Sequence, residues 1–190
     1  IVTGAEGGIG LAIVRKLLLQ NYIVFACARS KTINLDKLML SDKENFSKRL
    51  FINKFDINDD NISKQFAQEM FRKFQRIDVL VNSAGVPHGN LFLFKKKSEI
   101  LEIFNTNLFS LLNFTCIVSR LMIRKKRGSI VNISSSTSFS PDSGTIAYGS
   151  SKAALNYATK VLSKELASQG IRVNAVAPGV TQTSMLEKMD

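Results

Sequence analysis

Three residue types stand at a spacing that could move a proton: the serine run Ser134-Ser135-Ser136, Tyr148 and Lys152. Tyr148 and Lys152 are four positions apart, which makes them neighbours on one face of a helix. A phenol is a poor acid or base near neutrality, with a pKa of about 10. A neighbouring ammonium favours the phenolate and lowers that value. A serine hydroxyl can hydrogen-bond the oxygen of a reacting carbonyl. Together the three could protonate a carbonyl oxygen as a hydride arrives, or run the same step backwards. An isolated Tyr-x-x-x-Lys pair is commonplace on helix surfaces, so the reading depends on the elements that must bring these side chains together.

Those elements alternate along the chain. Ile1-Val2 reads as the end of an apolar strand, and Thr3-Gly4-Ala5-Glu6-Gly7-Gly8-Ile9-Gly10 as a glycine-rich turn into a helix over 11–20. Strand, glycine turn and helix make a phosphate cradle, because glycine allows close approach and the helix N-terminus offers N–H donors with partial positive charge. The glycine spacing is G-x-x-x-G-x-G, different from the common G-x-G-x-x-G fingerprint. A second strand over 22–28 ends in Ala28-Arg29-Ser30, with no carboxylate to hold a free ribose 2′-hydroxyl. Arginine there suits a 2′-phosphate instead, through charge-assisted hydrogen bonds, and favours NADP(H) over NAD(H). The segment 32–49 is polar and lysine-rich and reads as a loop with a short helix.

A third strand over 50–55 leads to Asp56-Ile57. Ile62, Phe66, Met70 and Phe74 then recur every four residues, so 59–74 is an amphipathic helix with an aromatic core stripe. A fourth strand over 78–81 runs into the small residues Asn82-Ser83-Ala84-Gly85. A long helix is expected over 98–123, with Asn107 as a polar residue on its apolar stripe. A fifth strand over 129–133 delivers the serines, the helix of Tyr148 and Lys152 runs to about residue 168, and Gly170 closes it. A sixth strand over 171–177 stops at Pro178-Gly179. The pattern is an α/β single domain over 1–190, a Rossmann-like, doubly wound, mostly parallel sheet. Ligands of such sheets lie beyond the C-terminal ends of the strands. The glycine turn, Asn82 to Gly85, Ser135 and Pro178-Gly179 all fall on that edge.

Composition narrows the function classes. Cys27 and Cys116 sit in apolar runs, and His88 is the one histidine, so metal-ligand spacing is absent and a Ser-His-Asp triad would need His88, in a turn-like Pro-His-Gly context, as its base. No apolar run is long enough to span a membrane, no signal peptide is visible, and the expected location is cytoplasmic. The net charge of +11 gathers in Lys95-Lys96-Lys97 and Arg124-Lys125-Lys126-Arg127 without the aromatic interleaving of a nucleic-acid surface. A phosphate-bearing cofactor or an acidic carrier fits that charge better.

The motifs taken together resemble the short-chain dehydrogenase/reductase family: Thr3-Gly4-x-x-x-Gly8-Ile9-Gly10, Asp56, Asn82-x-Ala84-Gly85, Asn107, Ser135, Tyr148-x-x-x-Lys152 and Pro178-Gly179, in the family's order. Within it the chain is most similar to 3-oxoacyl-(acyl carrier protein) reductases. The resemblance implies a pyrophosphate turn from Gly4, Gly8, Ile9 and Gly10, and an adenine site at Asp56 and Ile57. It implies an adenosine wall from Asn82, Ala84 and Gly85, with Asn82 also steadying the sheet. Tyr148 is then the general acid, Lys152 lowers its pKa and binds the nicotinamide ribose, and Ser135, thirteen residues before Tyr148, orients the carbonyl. Asn107 holds a water that links Lys152 to solvent, and Pro178, Gly179, Val180, Thr181 and Thr183 meet the nicotinamide end. The implied reaction is reduction of a ketone by NADPH, with a sugar or polyol enzyme and a non-catalytic cofactor-binding protein as rivals. An acidic carrier could meet Lys125, Lys126, Arg127 or Arg172. The helices of Asn107 and Tyr157 resemble those that pair family members into dimers and tetramers. Relatives continue past the equivalent of Asp190 into a substrate-covering segment, so a trimmed chain is expected.

Overall fold

The computed structural model describes residues 1–29, 46–87 and 91–183; Ser30, His88 and most of the polar segment over 32–49 lie outside the described residues. Six parallel strands form one sheet: β1 (Val2–Thr3), β2 (Val24–Ala28), β3 (Leu50–Lys54), β4 (Val79–Asn82), β5 (Gly128–Ile133) and β6 (Ile171–Val176). Their order is β3-β2-β1-β4-β5-β6. Val2 pairs with Ala26 on one side and Val81 on the other, so the chain reverses its direction of winding at β1. A crevice opens at that reversal, where crossovers leave β1 and β4 in opposite directions.

Both faces of the sheet are covered at β1, β2 and β4, which explains why those inner strands are almost wholly apolar; β6 instead alternates at its start, with Ile171 and Val173 buried and Arg172 and Asn174 exposed. Along β2, Phe25 and Cys27 enter one core and Val24, Ala26 and Ala28 the other. The second core is closed by Val14 and Leu18 of α1 (Gly8–Leu19). The first is closed by α2 (Asp60–Phe74), α4 (Ser110–Ile123) and α5 (Ile146–Ala167). It is rich in phenylalanine: Phe25 stacks on Phe51 at 5.0 Å, and Phe55 meets Phe66 at 5.0 Å and Phe114 at 5.9 Å.

Two expectations about helices change. The buried stripe of α2 runs through Ser63, Phe66, Ala67, Met70 and Phe71, and Ile62 is 46 % exposed. A period of 3.6 drifts away from a strict repeat of four, so Ile62 rotates off the core within one turn. The Asp59 carboxylate caps this helix, accepting from the N–H groups of Asn61 and Ile62. The long helix is continuous over 97–123 but comprises α3 (Lys97–Phe104), a π turn (Asn105–Phe109) and α4. Its length and composition do suit a membrane span, contrary to the reading of apolar runs, because neutral Asn, Thr and Ser residues bridge its apolar stretches. Of its most apolar stretch, however, 61 % is buried within the protein.

Candidate active site

At the C-terminal edge of the sheet lies a cleft of about 370 Å³. It is built from one end by the turn between β1 and α1. Gly4 sits at φ +62°, and a Cβ there would stand 2.7 Å from the Ala84 backbone. A Cβ on Gly10 would collide with the carbonyl oxygen of Gly4. The glycines therefore let the turn close tightly on itself and on the end of β4. Thr3 completes the join: its Oγ1 accepts from the N–H groups of Ser83 and Ala84 at 3.1 and 3.2 Å. Helix α1 has no side-chain cap and no acidic residue in its first turn. Gly8, Ile9 and Gly10 line the cleft at that end, so the positive end of the helix faces it. That is the arrangement a pyrophosphate requires.

The end of the cleft beside β2 and β3, where the sequence places an adenosine, is lined by Ala28, Arg29, Asp56, Ile57 and Ala84, with Gly85 further along. Arg29 and Asp56 are exposed and Ile57 is buried. Asn82 is placed differently from the cofactor role first assigned to it. It is fully buried and absent from the cleft wall. Its Nδ2 donates to Thr115 Oγ1 and Asn132 Oδ1, both at 2.8 Å, and Asn132 Nδ2 donates to Thr159 Oγ1. Strand alternation turns Asn82 and Asn132 toward α4 and α5, where they join sheet to helices. Pro178, Gly179, Val180, Thr181 and Thr183 line the opposite wall. Thr183 rests so close to the glycine turn that a Cβ on Gly8 would be 2.5 Å from its methyl group.

Ser135, Tyr148 and Lys152 meet in the same cleft. Ser135 starts a 3-10 turn (Ser136–Ser138), and Ser138 Oγ donates back to its carbonyl at 2.5 Å. Asn156 of α5 donates to Ser138 Oγ at 2.7 Å and binds that turn to the helix of Tyr148. The Ser136 N–H donates to the Pro178 carbonyl at 2.9 Å, joining serines and far wall. Lys152 is only 4 % exposed, and its Nζ donates to the Ile133 carbonyl at 2.9 Å. Burial pulls its ammonium down to about 8. Tyr148 is hydrogen-bonded to Ser135, which lowers its pKa, but burial is the larger effect and holds the phenol above its ordinary value. The expected depression by Lys152 does not dominate: the ammonium is 5.8 Å from the ring centroid and directed at a carbonyl.

Asn107 stands behind the cleft wall at 0 % exposure. Its Oδ1 accepts from the Val86 N–H at 2.8 Å, and its Nδ2 donates to the Val86 carbonyl at 3.2 Å and to Ser151 Oγ at 3.4 Å. Gly85 separates it from Lys152: a Cβ there would be 3.2 Å from Asn107 Oδ1 and 3.6 Å from Lys152 Nζ. Glu6, Phe55, Thr106 and Thr137 also line the cleft without having been assigned a role from sequence. Thr137 alone carried a signal, being next to the serine run; it donates to Ser135 Oγ at 2.9 Å.

A parallel sheet reversing at β1, an uncapped helix N-terminus, and a tyrosine, lysine and serine gathered beyond it define a Rossmann-like oxidoreductase domain. The chain belongs to the short-chain dehydrogenase family, whose model matches residues 1–190. It is 36 % identical over 189 residues to a 3-oxoacyl-[acyl-carrier-protein] reductase of Thermotoga maritima, covering all of this chain and 76 % of that protein. An acetoacetyl-CoA reductase of Acinetobacter sp. is 34 % identical, with the same coverage. The structure superposes on ElxO with NADP bound at a TM-score of 0.88 and 33 % identity, over 98 % of this chain and 75 % of that one. An actinorhodin polyketide ketoreductase with NADPH gives 0.89 and 32 %, over 98 % and 72 %. The chain is thus a nicotinamide-dependent short-chain oxidoreductase.

Proposed function

We propose that the protein uses NADPH to reduce a ketone to a secondary alcohol, and that the ketone is a 3-oxoacyl thioester. The observation that carries this reading is the meeting of Ser135, Tyr148 and Lys152 on one wall of the cleft that begins at the glycine turn. When bound, the nicotinamide supplies the hydride. Gly4, Gly8, Ile9 and Gly10 hold its pyrophosphate on the α1 N-terminus, and Asp56 and Ile57 receive the adenine. Arg29, just after β2, pairs with a 2′-phosphate; among the described residues it is the cation that lines that end of the cleft.

Tyr148 gives its proton to the ketone oxygen. Its raised pKa keeps the phenol protonated at neutral pH, ready to donate. Ser135 fixes the oxygen beside that proton, and Lys152, mostly an ammonium below pH 8, steadies the phenolate left behind. The side chain of Asn107 is committed to Val86 and Ser151, so a relay water would sit on the backbone of the π turn.

The thioester is supported by the names of the relatives, which act on 3-oxoacyl and acetoacetyl groups. Lys125, Lys126, Arg127 and Arg172 do not suit a carrier serving this chain's own cleft. They lie at the start of β5 and β6, and roughly 20 Å of strand separates that edge from the serines. Lys95–Lys97, which follows a strand's C-terminal end, is the better placed basic run for an acyl carrier protein. Leu101, Phe109 and Tyr157 are exposed on the α3–α4 helix and on α5, the surface proposed to pair two copies. The test is NADPH oxidation with 3-oxoacyl thioesters on carrier protein and on coenzyme A, beside a panel of sugar and polyol substrates. Thioester turnover at least tenfold above the panel supports the assignment; preference for a sugar or polyol replaces it.

A further inference from the structure

Asn58, in the turn before α2, lies in none of the motifs above, yet its side chain makes three hydrogen bonds, all to one stretch of the 97–123 helix. Its Nδ2 donates to Thr106 Oγ1 at 3.1 Å. Its Oδ1 accepts from Asn105 Nδ2 at 3.2 Å and from Ser110 Oγ at 2.7 Å. These three partners bracket the π turn over Asn105–Phe109, at whose centre Asn107 sits. The Asn58 backbone N–H, in turn, donates to Asp56 Oδ1 at 2.9 Å, at the adenosine end of the cleft.

The turn itself calls for such a clamp. A π turn is a rare and locally unfavourable departure from the α-helix. In an α-helix residues five apart point about 140° away from each other, so Asn105 and Ser110 could not share one acceptor. Here the Ser110 N–H bonds the Asn105 carbonyl, the i→i+5 pattern that stacks the two residues on one side. A single Asn58 oxygen reaches both only because the turn is wide. The same widening shifts the register of the helix and aims Asn107 at Val86, behind the glycine that also abuts Lys152.

We propose that Asn58 is a positioning residue: it clamps the π turn and thereby holds Asn107 against Gly85-Val86 beside Lys152, joining the Asp56 end of the cleft to its proton-handling end. The assignment to proton handling rests on the site reading given under the proposed function; the clamp itself stands on the hydrogen bonds alone. Asn58 touches no reacting atom.

The test compares Asn58→Leu with Asn58→Asp in the full chain. Leucine removes all three bonds. Aspartate keeps both acceptor bonds, and the Thr106 hydroxyl can rotate to donate to its second oxygen. Two readouts are taken: hydrogen exchange of the amides over 104–111 relative to those of β4 and β5, and kcat with KM for NADPH. Asn58→Leu is expected to raise exchange over 104–111 at least tenfold with the strands unchanged. It is expected to lower kcat about tenfold with KM for NADPH within twofold, since the backbone bond to Asp56 survives. Asn58→Asp should restore both readouts to within about twofold of wild type. Unchanged exchange in Asn58→Leu, exchange raised equally throughout the sheet, or equal defects in both variants would overturn the proposal. Tyr148→Phe, measured alongside, separates the two claims: full turnover there sinks the site reading, while the exchange comparison still decides Asn58.

Discussion

Lys152 sits in surroundings that disfavour its charge, and its chemistry depends on that cost. Its value of about 8, against 10.5 for an exposed lysine, reflects loss of water around the ammonium. The folded state thus holds fewer protons than the unfolded state between these two values, and stability must rise with pH across that window. The contribution is fully present above 10.5 and is lost as pH falls through 8. Relative to Lys152→Met, the wild type should gain on the order of 2–3 kcal/mol between pH 7 and 10.5, measured by denaturant unfolding at each pH. The comparison with the variant is needed because Cys27, pushed up to about 12 by burial, works in the opposite sense above pH 9, as does Tyr148 above 10. A flat difference would mean that Lys152 is hydrated in solution. Arg29 carries the other residue-scale prediction. Arg29→Ala should weaken NADPH binding about tenfold and NADH binding less than twofold, by fluorescence titration; equal losses would remove the 2′-phosphate argument. The types and spacing of Ser135, Tyr148 and Lys152 were legible in sequence, but the direction of the tyrosine's shift was not. It depends on how much water the folded cleft excludes, which no local spacing encodes.

At the scale of elements, the turn between β1 and α1 was readable because glycine spacing reports backbone demands directly. Gly4 carries the firmest consequence. Its positive φ and the Ala84 backbone 2.7 Å from any added Cβ leave alanine no unstrained place. Gly4→Ala should cost about 1–3 kcal/mol and reduce NADPH affinity at least tenfold, since the displaced wall is the phosphate wall; calorimetric binding and thermal unfolding measure the two effects. Retained affinity would show that the turn relaxes without moving α1. The π turn was unreadable for a different reason. The residue that bonds both of its ends, Asn58, is about fifty positions away in sequence, and nothing in Asn105–Phe109 alone separates a wide turn from an ordinary one. Asn82 shows the same limit: sequence placed it at a strand end, and only the pairing with Asn132 and Thr115 reveals that it faces the helices rather than the cleft.

At the scale of the whole molecule, alternation of strand and helix was enough to anticipate the parallel sheet, since a parallel pair needs a crossover and a helix is the usual one. Beneath the cleft, a phenylalanine-rich core fills the space between the sheet and α2, α4 and α5. Phe114, fully buried at its centre, should cost about 3–5 kcal/mol when truncated to alanine, with the loss seen in denaturant midpoint and in cofactor affinity only to the extent that the fold is lost. The surface carries a separate expectation: Tyr157→Glu with Phe109→Glu should reduce any dimer or tetramer to monomer in analytical ultracentrifugation, and an unchanged mass would place pairing elsewhere. All of these elements serve one convergence, of glycine turn, serine strand and tyrosine helix on a single edge. The most direct test of it is NADPH oxidation with a short 3-oxoacyl thioester by wild type and by Tyr148→Phe, together with NADPH affinity for both. Turnover is expected to fall at least a hundredfold in the variant, with affinity changed less than threefold. Undiminished turnover in Tyr148→Phe would contradict it.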